Sequence, residues 1–102
     1  MLVEFNIVPI GTGESMGDVI AGVLKVVDNS GLPYRANAMG TVIEGNWDEC
    51  MGLIKKCHDE VMKTAPRLYS SINIDIRPSK PLDRLTEKLK SVEKRLGKSL
   101  KG

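Results

Sequence analysis

The chain is short of the residues that most enzymes and nucleic-acid binders rely on. Only four of its 102 residues are aromatic: Phe5, Tyr34, Trp47 and Tyr69. Single-stranded bases are held largely by stacking on such rings, so nucleic acid is a disfavoured partner. His58 is the only histidine, which excludes a His-based metal cluster. The two cysteines, Cys50 and Cys57, stand seven residues apart. On a helix that is a rise of about 10 Å, beyond the reach of a disulfide, so both read as small core residues. No apolar run approaches the roughly 20 residues of a membrane span. "MLVEFNIV" at the N-terminus lacks the basic start and cleavage region of a signal peptide, and the expected location is the cytoplasm.

What remains is the composition of an ordinary soluble domain, 41% hydrophobic and 27% charged, with residues 1–102 read as one unit. The net charge of +2 hides an asymmetry. Residues 1–79 hold 7 Lys/Arg against 10 Asp/Glu, whereas residues 80–102 hold 8 against 3. The simplest account of that basic end is a solvated helix face and a frayed tail.

Apolar periodicity orders the chain. "LVEFNIVPI" alternates, with Val3, Phe5 and Ile7 on one side and Glu4 and Asn6 on the other, which predicts a half-buried strand. Met16, Val19, Ile20, Val23 and Val27 follow helical spacing until "DNSG" ends them. "LPYRANAM" and "GTVIEG" read as two short strands. Cys50, Leu53, Ile54, Cys57 and Val61 mark a second helix that Pro66 stops. "SSINIDIRP" predicts a strand with Ile72, Ile74 and Ile76 toward the core and Ser71, Asn73, Asp75 and Arg77 away from it. Leu82, Leu85, Leu89, Val92 and Leu96 then form a narrow seam on a final helix over about 81–96, followed by a tail at 97–102. The order β-α-β-β-α-β is that of an α+β, ferredoxin-like domain. It predicts a four-stranded antiparallel sheet with both internal helices on one face, plus the C-terminal helix.

Catalytic and metal-binding patterns are weak. In "PIGTGESMGDV" the third glycine comes one place late for a dinucleotide fingerprint, and no Lys-Ser/Thr follows for a P-loop. Ser15-x-x-Asp18 fits a helix start better. "CHDE" at Cys57–Glu60 is rich in ligand types, but consecutive helical residues diverge. No serine or cysteine has an evident base and orienting partner, so no catalytic residue is assigned and the chain is read as a non-enzyme. "MGTVIEGNWDE" is the most unusual segment. It sets Thr41 and Glu44 in or beside a central strand between Gly40 and Gly45, where a buried carboxylate needs a cation or a ligand.

Four segments together, "PIGTGESMGDV", "SGLPYRANAMGTVIEGNWDE", "KKCHDEV" and "RLYSSINIDIRP", resemble the small thiamine-binding protein family. The likeness runs from Glu4 to Leu96. Its most specific part is Met39-Gly40-Thr41-x-Ile43-Glu44-Gly45, supported by Pro9-x-Gly11 and Asp75-x-Arg77. The resemblance implies a non-catalytic cytosolic protein that binds thiamine or its hydroxymethylpyrimidine half, as a ligand and not as a cofactor. It also implies a homo-oligomer, a dimer through the sheets or a tetramer. On this reading Thr41 and Glu44 make polar contacts, Asn37 meets the aminopyrimidine, and Met39 and Ile10 form apolar walls. Asn6 and Asn73 are added from the polar sheet face. A buried carboxylate such as Glu44 suits the thiazolium charge.

Two other classes compete. An assembly module would pair subunits through the polar sheet face and the leucine seam, with no ligand. An RNA-binding domain shares the topology but stacks bases on central-strand aromatics; the corresponding strands here offer only Phe5, on the core-facing register, and none in "GTVIEG" or "SSINIDIR". An enzyme using thiamine diphosphate would need a divalent ion and a diphosphate cradle, and neither is apparent.

Overall fold

The computed structural model describes residues 1–13 and 16–79, together with Lys94 and Gly97. Its elements run β1 (Leu2–Ile10), α1 (Met16–Asn29), β2 (Tyr34–Asn37), β3 (Gly40–Glu44), α2 (Trp47–Met62) and β4 (Arg67–Asp75). The strands form one antiparallel sheet in the order β2-β3-β1-β4. Each helix therefore joins two strands that have a third strand between them, which is the ferredoxin-like arrangement.

The pleat decides which residues meet the helices. Val3, Phe5, Ile7 and Pro9 of β1 are all buried, while Glu4, Asn6, Val8 and Ile10 on the alternate positions are exposed. Helix α1 contributes Val23 and Val27 to the core, and α2 contributes Cys50, Leu53, Ile54, Cys57 and Val61. Spacings of three and four put each set on one helical stripe. The opposite sheet face is open, and its positions on β1 and β3 (Leu2, Glu4, Asn6, Val8, Ile10, Gly40, Val42 and Glu44) include no aromatic ring.

Local signals set the element ends. Asn46 caps α2: its side chain accepts from the Glu49 N–H at 2.8 Å, and the Glu49 carboxylate accepts from the Asn46 N–H at 3.0 Å. This reciprocal box satisfies two donors that a helix start otherwise leaves open. At the end of α1 the Ser30 hydroxyl donates to the Val27 carbonyl and accepts from the Leu32 N–H. Gly31 then turns the chain at φ 79°. The Tyr34 hydroxyl donates to Asp28 at 2.7 Å and ties the start of β2 to the end of α1.

Two expectations change. Strand β4 ends at Asp75, before Ile76, and of the three isoleucines expected to face the core only Ile72 is partly buried against it; Ile74 and Ile76 are 40% and 56% exposed. The register places Ile74 opposite Val3 on the helix side as the alternation requires. However, β4 is an edge strand, so its outward flank lacks a neighbour among the described residues. Helix α2 stops at Met62, with Lys63 as its C-cap, three residues before Pro66. The helix expected at 81–96 and the Ser15 cap lie outside the described residues.

Candidate functional site

Strands β1 and β3 differ in length, and that mismatch opens a cleft. β1 pairs with β4 along its whole length, from Leu2 to Ile10, but with β3 only from Leu2 to Phe5. Past Phe5 the chain of β3 has already turned away through Gly40 and the β2–β3 turn. One flank of Asn6–Ile10 is therefore without a strand partner among the described residues. Helix α1 and the end of β2 stand on either side of this flank and enclose a cleft of about 260 Å³.

Thr41 forms part of the floor. It pairs with Phe5 on the helix side of the sheet and is only 7% exposed. Among the described residues no hydrogen bond occupies its hydroxyl. Met16, Ile20 and Leu24 of α1 make one wall, and Ala36, Asn37 and Ala38 make the other. The Asn37 side-chain oxygen accepts from the Met39 N–H at 3.2 Å. That Asx turn engages the oxygen and leaves the amide's two N–H donors for other partners. Among the described residues no charged side chain lines the cleft.

The expected site residues divide by pleat and position. Thr41, Asn37 and Asn6 border the cleft. Asn6 does so from a β1 position whose side chain is sent to the open face, where it pairs with Ser71, so its backbone is the part offered. Ile10 lies on that open face as well. So does Asn73, whose amide donates to Glu4 at 3.4 Å. Met39 sits beyond the end of β2 and is 82% exposed. Glu44 is 2% exposed at the far end of β3. Three residues beyond Thr41, it is about 10 Å along the strand and on the opposite pleat. Ile10, Asn73, Met39 and Glu44 are thus absent from the lining of this cleft.

The glycine loop is architecture. Gly11 and Gly13 take φ of 87° and 62°, the left-handed region that side chains disfavour. A Cβ on Gly11 would also stand 2.6 Å from the Pro66 ring. Sequence reasoning missed the α1 wall and the bare backbone of β1. Their one visible signal was length, nine residues in "LVEFNIVPI" against five in "GTVIE".

The family model described as thiamine-binding protein matches residues 3–93. The chain belongs to the thiamine-binding protein family. A UPF0045 protein of Mycobacterium bovis is 39% identical over 97 residues, covering 94% of each chain. A crystal structure of a Methanocaldococcus jannaschii protein superposes with a TM-score of 0.80 at 34% identity, covering 89% of this chain and 93% of that one. A Thermotoga maritima structure named for thiamine biosynthesis/salvage superposes with a TM-score of 0.76 at 21% identity, covering 89% and 96%. This last likeness concerns the fold alone. Within the thiamine-binding protein family the chain thus keeps both the fold and nearly the full length of its relatives, and none of these names is that of an enzyme.

Elsewhere the described residues offer less chemistry. No group of three or more His, Cys, Asp or Glu gathers to hold a metal ion among them. His58 Nε2 lies 3.0 Å from the Ser70 hydroxyl, but neither residue borders the cleft. Burial pushes the Cys57 thiol up to about 11, with the Glu60 carboxylate adding to the effect. Burial also raises Cys50. Neither thiol is a nucleophile near neutral pH. No helix of the described residues is long and apolar enough to cross a membrane.

Proposed function

We propose that the protein binds thiamine through its hydroxymethylpyrimidine half in the cleft between α1 and the unpaired flank of β1. It does so without catalysis, as a cytoplasmic carrier or sensor that works as a homo-oligomer. The observation that carries this reading is the cleft itself: small, lined among the described residues by no charged side chain, floored by Thr41 and bordered by β1 backbone. At about 260 Å³ it falls just under the usual range for ligand pockets, which suits one heteroaromatic ring better than a nucleotide. Ring nitrogens accept hydrogen bonds and the exocyclic amine donates them. The Thr41 hydroxyl, the Asn37 amide and strand backbone are matching partners. The thiazolium stays at the mouth in water, because a cation buried without a partner is costly.

Calorimetric titration of thiamine and of free hydroxymethylpyrimidine tests the assignment. Saturable heat from both is expected, with affinity reduced in Thr41→Val and unchanged in Glu44→Gln. A loss of thiamine affinity alone in Glu44→Gln would move the thiazolium to that carboxylate. The absence of heat and of any thermal shift with either compound would overturn the reading. An assembly module without ligand draws support from Val8, Ile10 and Tyr69, exposed apolar residues on the open sheet face. The same titration separates the two.

A further inference from the structure

The cleft touches both sides of the sheet. Phe5, Ile7 and Thr41 border it from helix-side positions, where α1 walls it in, and Asn6, Val8 and Gly40 border it from open-face positions. Gly40 has no side chain to narrow that second side. Its chain neighbours apart, the nearest side-chain atom to where a Gly40 Cβ would stand is the Cγ of Glu4, at 3.8 Å. Glu4 is exposed, pairs with Val42 and Asn73, and precedes Asn6 on the same face of β1. Its Oε1 accepts from the Asn73 amide at 3.4 Å, and its Oε2 has no hydrogen-bond partner among the described residues.

We infer, on the pyrimidine assignment proposed above, that Glu4 is the counter-charge for the cationic half of the ligand and makes the site favour thiamine over neutral hydroxymethylpyrimidine. Glu4 and Asn6 are two residues apart, about 7 Å along the strand. The methylene bridge and second ring of thiamine span that distance when the pyrimidine fills the cleft. An exposed carboxylate and a cation left in water keep most of their hydration, so the pair forms at little desolvation cost. Glu44 is less suited: it pairs with Leu2, two residues further along the same face, and is 2% exposed. A cation would have to shed its water to reach it. Arg35 shares the row of Val42 and Glu4, but two strand spacings separate it from Glu4, about 10 Å. No ion pair joins the two among the described residues.

Calorimetric titration of Glu4→Gln with thiamine and with hydroxymethylpyrimidine, at low ionic strength, tests the assignment. Glutamine keeps an acceptor for the Asn73 amide and removes only the charge. Thiamine should bind about two- to fivefold more weakly than to wild type, as for one solvent-exposed ion pair, and hydroxymethylpyrimidine should bind equally well. Raising sodium chloride to about 0.5 M should weaken thiamine binding in wild type and barely alter it in the variant. Thermal denaturation without ligand should give the same midpoint for both proteins. Saturable binding of both compounds with thiamine indifferent to Glu4→Gln and to salt would overturn the role of Glu4 and leave the cleft assignment standing. Equal weakening of both compounds would overturn it too, since the carboxylate would then serve the pyrimidine or the fold. No heat with either compound in wild type would remove the cleft assignment itself, and the role of Glu4 with it.

Discussion

Replacing Thr41 with valine should move ligand affinity and stability in opposite directions. The substitution keeps shape and swaps a hydroxyl for a methyl at a site that is 7% exposed. In the unliganded protein that hydroxyl has no hydrogen-bond partner among the described residues, so the fold loses no bond. It gains a methyl packed beside Phe5, for which burial contributes up to about 0.8 kcal/mol. With ligand bound, the hydroxyl accounts for one hydrogen bond worth about 0.5–1.5 kcal/mol net. Thr41→Val should therefore unfold at equal or higher urea concentration than wild type and bind hydroxymethylpyrimidine about two- to tenfold more weakly. Urea denaturation of the ligand-free protein and calorimetry on the same preparations give the two numbers. Unchanged affinity would remove Thr41 from the site. A clear loss of stability would mean that the hydroxyl serves the fold, and the cleft-floor argument would fail with it.

Three further outcomes test the framework. The Cys57 thiol ionises near 9 when unfolded but only near 11 when folded, so the folded state retains the proton as pH rises between those values. Its contribution is complete below pH 9 and is lost toward pH 11. The loss amounts to about 2–3 kcal/mol, and urea midpoints at pH 8 and 10.5 should decline more in wild type than in Cys57→Ala. Asn46→Ala removes the cap of α2 and should cost about 1 kcal/mol in thermal denaturation, whereas Asn46→Asp should retain most of it. Gly11→Ala forces a side chain into the left-handed region and against Pro66. A cost of at least about 1–2 kcal/mol is expected, and a neutral result in urea would show that the loop has another conformation.

The fold was largely readable because its signals are local and repeated. Val3, Phe5 and Ile7 alternate, and Cys50 to Val61 recur at helical spacing, so strand and helix each announce their own buried side. The β4 isoleucines misled because alternation reports a face, not a position within the sheet. Ile72 and Ile74 share a face and an edge strand, yet the second lies one residue from the strand's end at Asp75 and is 40% exposed. The candidate site was legible in Thr41 and Asn37, which fall in an unusual segment. Glu44 joined them in sequence because three residues are close along a chain, but in a strand they are far apart and oppositely directed. The α1 wall had no motif to reveal it: Ile20 and Leu24 look like any helical core positions until the neighbouring strand stops short.

That early stop gives the β1 overhang a further meaning. A strand that outruns its neighbour is a sheet with rungs left unbuilt, and on the proposed reading a planar ring with donors and acceptors on its rim supplies them. Binding is then the last step of sheet formation, performed by a small molecule in place of peptide. Amide hydrogens of Asn6–Val8 that face the cleft should exchange more slowly once it is filled. Selectivity would be written in how far β3 extends, and lengthening that strand by two residues would close the site without touching a single side chain in it.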